Sequence, residues 1–215
     1  MDGETLRRRL EADESAALSL LGSPRFLRAA AGGNPAPGPL LDAAAESEHA
    51  ARETFAQWVD DEPDPEARAA FESVVEQEHG HRERVVAELD DWAPDGGGPG
   101  PMHAYLRGRD DTVQRIAGGM VGRPLVTLRT HGRLISFFED RPGDAAARRA
   151  DLFGDLRAET ADVLEQGLAL LDDRCEGEAW EAARMVAGYT VRVAADDTAD
   201  ALRSLGIDPE IDVGE

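Results

Sequence analysis

Apolar side chains recur every three or four residues along most of the chain, and strand-type alternation is almost absent. This spacing predicts helices, because residues three, four and seven apart share one helix face. The pattern also repeats. A stretch with Glu48 two turns before Phe55 has a later counterpart in which His131 stands two turns before Phe138. The sequence therefore predicts two helix hairpins that bury related faces.

Breaker residues divide the pattern into separate helices, with Gly122 ending one and Pro124 opening the next. Short turns after Asp60 and Asp140 predict antiparallel hairpins. The Gly/Pro segment Pro94–Pro101 is long enough for a crossover between them. The predicted helices cover about residues 5–21, 39–60, 66–91, 111–121, 124–139, 145–172 and 178–205. The expected fold is all-α: a single domain with a four-helix core bundle over about 39–172. The N-terminal helix 5–21 and the C-terminal helix 178–205 pack outside it, and Gly206–Glu215 form a polar tail.

The charge and composition of the chain limit the classes of partner and the cellular environment that we expect for it. The net charge is −21, and all 23 basic residues are arginine. A lysine-free acidic composition resembles proteins of salt-loving archaea, where molar salt screens self-repulsion. No basic patch favours nucleic acid. Cys175 is the only cysteine, so an internal disulfide and a CxxC redox or zinc module are excluded. We expect a cytoplasmic protein that has no signal peptide and no contact with membranes.

Six polar side chains fall inside otherwise apolar helical stripes. Glu48 lies in the stripe of the second predicted helix, and Glu78 and His81 lie in the stripe of the third. The second hairpin contributes the other three. The six candidates for a shared core site are Glu48, Glu78, His81, His131, Glu159 and Asp162.

Other assignments stay open for these positions. Glu76 and His79 repeat the Glu-x-x-His spacing, but Glu76 points away from the stripe. Asp155 and Gln166 are reserve candidates. Any one of the six could instead be an ordinary buried polar residue paired with an arginine, for which the available partners are Arg52, Arg82, Arg129 and Arg133.

Four acids and two histidines in one core are costly unless they are paired or bound to metal. Scattered arginines satisfy such a group poorly, whereas two divalent ions satisfy it directly, because carboxylates and imidazoles are natural ligands of iron and manganese. The pattern therefore predicts a pair of metal ions in a four-helix bundle. Iron is the first expectation, with manganese or zinc as alternatives.

The residues of the first hairpin resemble the rubrerythrin-like branch of the ferritin-like superfamily. In that family a Glu is followed two turns later by an aromatic residue, and the partner helix carries Glu-x-x-His. Glu48, Phe55, Glu78 and His81 match this pattern. The resemblance covers roughly Pro39 to Asp172 and is weaker in the second half. There His131 stands where the family has a Glu, and Asp162 stands where it has a His.

The resemblance implies a ferritin-like bundle that holds two metal ions and oxidises or detoxifies O₂ or peroxide. An external electron donor would be needed, since no second redox centre is encoded. Arg129 and Arg133 could adjust the charge near the site. A homodimer or small homo-oligomer is the expected assembly. Two alternatives are metal sequestration without catalysis and a metal-free helical interaction protein whose core acids pair with arginines. A tRNA hydroxylase ranks lower, because a basic docking surface is missing.

Overall fold

The computed structural model describes residues 1–94, 96 and 98–210, and it is helical with no strand among them. The predicted linker Pro94–Pro101 and the tail Gly206–Glu215 fall partly outside these residues. All-α architecture is thereby confirmed. The elements are α1 (Gly3–Asp13), α2 (Ser15–Leu21), α3 (Pro24–Ala30), α4 (Pro37–Asp61), α5 (Pro65–Val86), α6 (Gly100–Arg107), α7 (Thr112–Arg115), a π-helical segment (Ile116–Gly122), α8 (Arg123–Glu139), α9 (Asp144–Arg174) and α10 (Ala179–Ser204).

Two long hairpins dominate the packing: α4 lies against α5, and α8 lies against α9. The turn of the first hairpin has clear local causes. Asp64 caps α5 by accepting from the backbone N–H groups of Glu66 and Ala67, and Pro65 occupies the first helical position. Helix α5 also contacts α9, which joins the two hairpins. Glu48, Glu78, His131 and Glu159 thus come from four helices that face a common interior.

The predicted break at Gly122 is wrong. The chain runs from Thr112 to Glu139 without leaving helical geometry, because the residues before Arg123 form a π-helical segment. Pro124 cannot donate a backbone hydrogen bond, and a wider turn absorbs that loss without ending the helix. Arg123 therefore begins α8 inside the molecule and not in a surface loop.

Small residues let the π-helical segment lie unusually close to its neighbours. A Cβ on Gly122 would stand 2.7 Å from the backbone oxygen of Ala187 in α10, and one on Gly119 would stand 2.6 Å from the ring of Trp58 in α4. From α9, Gly167 approaches the backbone of Met120 in the same way. These contacts fix the position of the segment, and hence of Arg123, against three helices.

The remaining elements pack around this centre. Helix α10 contacts the π-helical segment as well as α2, α3 and α6. The predicted first helix is divided at Glu14 into α1 and α2, and the short helices α3 and α6 lie in stretches for which no helix was predicted. Within the described residues, no helix combines the length and the apolar character needed to cross a bilayer.

Candidate metal centre

Four of the six predicted site residues are buried together. Glu48, Glu78 and His81 are each about 1% exposed, and His131 is 4% exposed. One ligand atom from each of Glu48, Glu78 and His81 lies within 4.8 Å of the others. The Nε2 atom of His131 lies 3.3 Å from Oε1 of Glu48. We call these four residues, with Arg123, the core cluster.

Arg123 is the residue that the sequence analysis missed. It is 1% exposed, and its guanidinium donates from Nη1 and Nη2 to the two oxygens of Glu78 at 2.9 and 2.8 Å. The Nη2 atom also donates to Oε2 of Glu48 at 3.3 Å. One cation thus bridges the two acids. The sequence signal is a four-residue spacing, since Arg123, Thr127 and His131 follow one ridge of α8 and all are buried.

The charge of the core cluster is incompletely balanced by this arginine. Burial has the largest effect on Glu78 and raises its pKa to about 8. The neighbouring Arg123 lowers this pKa, and the acid of Glu48 raises it, each by less than burial does. A carboxyl group beside a second acid in a dry core favours its protonated form. A second positive charge at this place would favour the ionised form of Glu78.

Hydrogen bonding fixes the tautomer of His81. Its Nε2 lies 2.8 Å from Oε2 of Glu159, and Arg84 donates to Oε1 and Oε2 of the same carboxylate at 2.9 and 2.7 Å. The bonds from Arg84, and after them that from His81, lower the pKa of Glu159, so its oxygens are acceptors and Nε2 carries the proton. Burial lowers the pKa of His81, which favours the neutral ring. The lone pair of His81 is therefore on Nδ1.

That lone pair faces the acids. His81 Nδ1 lies 3.9 Å from Oε2 of Glu78. It has no hydrogen-bond partner within the described part of the chain, and the same holds for Oε1 of Glu48, whose 3.3 Å contact with His131 Nε2 does not have hydrogen-bond geometry. Buried polar atoms are rarely left in this state, because each costs about 1–3 kcal/mol. Two orphaned electron-pair donors beside a carboxyl group are the arrangement that a bound cation satisfies.

His131 stands at the other side of Glu48. Burial lowers its pKa to about 4, so the ring is neutral near pH 7. Its Nδ1 also lacks a partner among the residues described. The ring packs edge-on against Phe153 of α9, at 5.4 Å between centroids, which restricts its orientation. His131 thus adjoins the three possible ligands as a neutral ring held beside Glu48.

The two remaining predicted residues lie elsewhere. Asp162 is exposed, so the expectation that it faces the core is wrong. The buried stripe of α9 passes through Leu156, Thr160 and Val163, which turns Asp162 outward. Glu159 is half-buried at the edge of this stripe and contacts the core cluster through its hydrogen bond with His81.

The other candidates are away from the cluster. Glu76, His79, Asp155 and Gln166 are exposed. Of the four arginines expected as partners, Arg52 pairs with Glu53, and Arg82 contacts His79. Arg129 and Arg133 line a separate surface pocket. Among the described arginines, Arg123 is the one that donates to Glu48 and Glu78.

The ligand set fits one divalent ion. Carboxylate oxygen and imidazole nitrogen bind zinc, iron and manganese at about 2.0–2.2 Å, and a spacing of 4.8 Å or less between ligand atoms is within reach of one ion after small side-chain shifts. The hydrogen bond from His81 to Glu159 is the outer-sphere support that metal-bound histidines ordinarily have.

No family model, no curated protein and no solved structure matches the chain.

Proposed function

We propose that the protein binds one divalent transition-metal ion in the core cluster, within a bundle of ferritin-like arrangement. Glu48, Glu78 and His81 supply the ligands, and His131 adjoins them. The observation that carries the proposal is a pair of buried lone-pair atoms without a hydrogen-bond partner among the described residues, His81 Nδ1 and Glu48 Oε1. The resemblance of the first hairpin to rubrerythrin-like proteins supports the same residues.

Arg123 favours one ion over two. Its Nη atoms already donate to both oxygens of Glu78 and to Oε2 of Glu48, which leaves fewer lone pairs of these acids for a second ion. Two divalent ions plus a guanidinium would also bring five positive charges to two buried acids, an excess that a low-dielectric interior disfavours. The site thus departs from the expected metal pair by placing a fixed cation at the second position.

Any redox activity follows from the identity of the ion. Iron or manganese would supply one-electron chemistry, and turnover of O₂ or peroxide would need the external donor expected from the sequence. The protein's own residues bind and orient: Glu159 holds His81 in its ligating tautomer, and Arg123 keeps Glu78 aligned. With zinc in place of iron or manganese, the site would have no redox chemistry.

The pairing of Arg123 with Glu78 supports a second candidate, a metal-free bundle whose acids are neutralised internally. Melting and calorimetric titration with Zn²⁺, Mn²⁺ and Fe²⁺ separate the two. One ion should bind per chain and stabilise it by about 2.7 kcal/mol at a free concentration of 100 times Kd. Binding of two ions would restore the metal-pair expectation. A melting temperature that none of the three metals changes would favour the second candidate.

Matched variants locate the binding. His81→Phe should abolish it, because the ligating lone pair is lost. His79→Phe changes an exposed histidine of the same helix and should leave binding intact. Glu159→Gln should weaken binding by about 10–100-fold without changing the stoichiometry, as expected of a partner of the ligand. If the two histidine variants behave alike, the ion is not in the core cluster. Peroxide consumption with a chemical reductant, assayed on the loaded protein, tests the redox role.

A further inference from the structure

Four arginines line one pocket at the surface of this acidic protein. The pocket has a volume of about 370 Å³ and lies between α1, α8 and α9. We call it the arginine pocket. Its arginines are Arg7 of α1, Arg129 and Arg133 of α8, and Arg157 of α9. They come from three helices that are distant in the sequence, so the fold concentrates positive charge where the composition does not indicate it.

Helix α8 supplies one wall of the arginine pocket. Residues three, four and seven apart share a helix face, and the α8 residues of the wall follow this spacing: Leu125, Leu128, Arg129, Gly132, Arg133 and Ser136. A Cβ on Gly132 would stand 3.7 Å from Nε of Arg157, so this arginine of α9 lies directly against α8. The same Nε donates to the backbone oxygen of Leu128 at 3.1 Å, which fixes the side chain there.

Three of these arginines lack an acid partner. The chain has 44 acidic and 23 basic residues, so acids outnumber arginines almost two to one. Even so, Arg129 and Arg133 form no ion pair with any described residue, and Arg157 donates to a backbone oxygen instead of a carboxylate. Arg7 differs, because it contacts Glu165 at 2.7 Å. The pocket therefore gathers positive charge that the described residues leave unbalanced.

This charge favours an anion with several oxygens. Of the described residues that line the pocket, Glu11 is the only acid, and it lies 3.6 Å from Arg7, so these two charges largely offset each other. Arg129, Arg133 and Arg157 remain. A guanidinium donates two parallel N–H bonds to a carboxylate or a phosphate. Three such groups offer more donors than the two oxygens of one carboxylate can use, whereas a phosphate group has the oxygens and the charge to match them.

A small anion suits the pocket better than a polymer. Nucleic acid or an anionic bilayer extends far beyond 370 Å³ and would meet the rest of a surface with net charge −21. A single phosphate group avoids this repulsion. Leu125 and Leu128 also line the pocket, so a short apolar substituent on the phosphate would find contacts there.

We propose that the arginine pocket binds a small phosphate-type dianion, either inorganic phosphate or a phosphate monoester, through Arg129, Arg133 and Arg157. The site does not require the metal centre. The two proposals are also electrostatically compatible, because a cation in the core cluster would attract an anion and not repel it.

Calorimetric titration of the full chain with inorganic phosphate, phenyl phosphate and acetate tests the proposal. The protein is first stripped of metal and then freed of the chelator, because common chelators are themselves polyanions. All titrations are made at one ionic strength, set with KCl. Inorganic phosphate should saturate one site per chain, and acetate should bind at least about tenfold more weakly. Tighter binding of phenyl phosphate would indicate a monoester as the ligand, and equal or weaker binding would indicate the free ion.

Variants locate the site. Arg129→Gln and Arg157→Gln change exposed side chains, and each should weaken phosphate binding by about tenfold or more, because a charge-assisted hydrogen bond is lost. Gly132→Asp should abolish binding, since its carboxylate would lie beside Arg157 in the place of the anion. Glu11→Gln should strengthen binding by removing the acid of the lining. Arg28→Gln is the matched control, because Arg28 is exposed and lies outside this lining.

Saturable phosphate binding that the two pocket variants weaken, and that Arg28→Gln leaves unchanged, supports the proposal. Absence of saturation by both phosphate compounds overturns it, and so does equal affinity for acetate. Equal losses in Arg28→Gln and Arg129→Gln also overturn it, because the effect would then come from the net charge alone. Circular dichroism of each variant confirms that the fold is intact. Since the metal is removed beforehand, these results are independent of whether the core cluster binds an ion.

Discussion

Among single residues, Arg123 matters most for the core cluster, because it is the buried cation there. Its guanidinium is fully buried and hydrogen-bonded to both Glu78 and Glu48. A pair of this kind adds little net stability when formed from well-solvated charges, but removal of one partner leaves an uncompensated group in a dry interior. The asymmetry makes Arg123 a sensitive test position.

Arg123→Met should lower the free energy of unfolding of the metal-free protein by about 3–5 kcal/mol. Urea denaturation with and without Zn²⁺ measures the loss and its recovery by metal. Arg148→Met is the control, because Arg148 pairs with Glu88 on the surface and its removal should change stability by no more than about 1 kcal/mol. Equal losses in the two variants would contradict a special role for the buried guanidinium.

Glu78 gives the metal-free protein a distinctive pH dependence. Its folded-state pKa of about 8 lies above the value of 4.5 expected when exposed, so between these values the folded state holds a proton that the unfolded state has released. Stability therefore falls as pH rises. His131, with a folded pKa of about 4, acts in the opposite direction, but only below its usual value of 6.5.

Between pH 6.5 and 8 the contribution of Glu78 thus acts without that of His131. The free energy of unfolding should drop by about 2 kcal/mol across this window in chelated protein, at about 1.4 kcal/mol per pH unit. Glu78→Gln should flatten the profile there. A wild-type stability that rises from pH 6.5 to 8 would show that Glu78 is ionised throughout.

At the scale of elements, the π-helical segment determines where Arg123 begins. Gly122 lies so close to α10 that an added methyl group would meet the backbone oxygen of Ala187 at 2.7 Å. Backbone atoms cannot rotate away as a flexible side chain can. Any substitution at Gly122 must therefore move the segment, and Arg123 moves with it.

Gly122→Ala should cost about 1–3 kcal/mol of stability through overpacking and should also weaken metal binding. Gly154→Ala in α9 is the matched control, since no described atom lies within 4 Å of its added Cβ. It should stabilise the protein by about 0.5–1 kcal/mol, because alanine is the better helix former. Thermal melts and metal titrations of both variants make the comparison, and a neutral Gly122→Ala would refute the close-packing argument.

Long helices with strong periodicity could be predicted from the sequence, because burial of one face dominates their energetics. Glu48, Glu78, His81 and His131 lie in such stripes, and all four are buried. Arg123 was missed because a glycine followed by Arg-Pro resembles a helix start. The helix continues across these residues because of tertiary packing, which the local sequence does not reveal. Asp162 was wrongly predicted to face the core because the apolar stripe of α9 is wide. For a residue at the edge of such a stripe, spacing alone does not decide between the core and the solvent.

At the scale of the whole molecule, the dominant feature is the net charge of −21. Repulsion among so many acids acts over a Debye length of about 10 Å at 0.1 M salt and about 3 Å at 1 M. Surface pairs such as Arg148 with Glu88 weaken in the same salt, but each is worth at most about 1 kcal/mol. Relief of the collective repulsion should be the larger effect.

The melting temperature should accordingly rise between 0.1 and 1 M KCl, by about 2–4 °C for each kcal/mol of repulsion removed. Tetramethylammonium chloride at equal ionic strength should give a similar rise, whereas a specific cation site would respond to potassium alone. A melting temperature that falls with salt would mean that local ion pairs outweigh the net charge.

The guanidinium at the centre of the bundle also affects how the proposed metal centre would behave without its ion. Arginine keeps its charge at every physiological pH, so the two acids are never left without a counter-charge. Many small metal-dependent domains unfold when stripped. In the proposed metal centre, Arg123 instead supplies part of the positive charge without an ion. We therefore expect the metal-free protein to stay folded, so that metal occupancy can follow the free concentration of the ion, as reversible metal sensing would require.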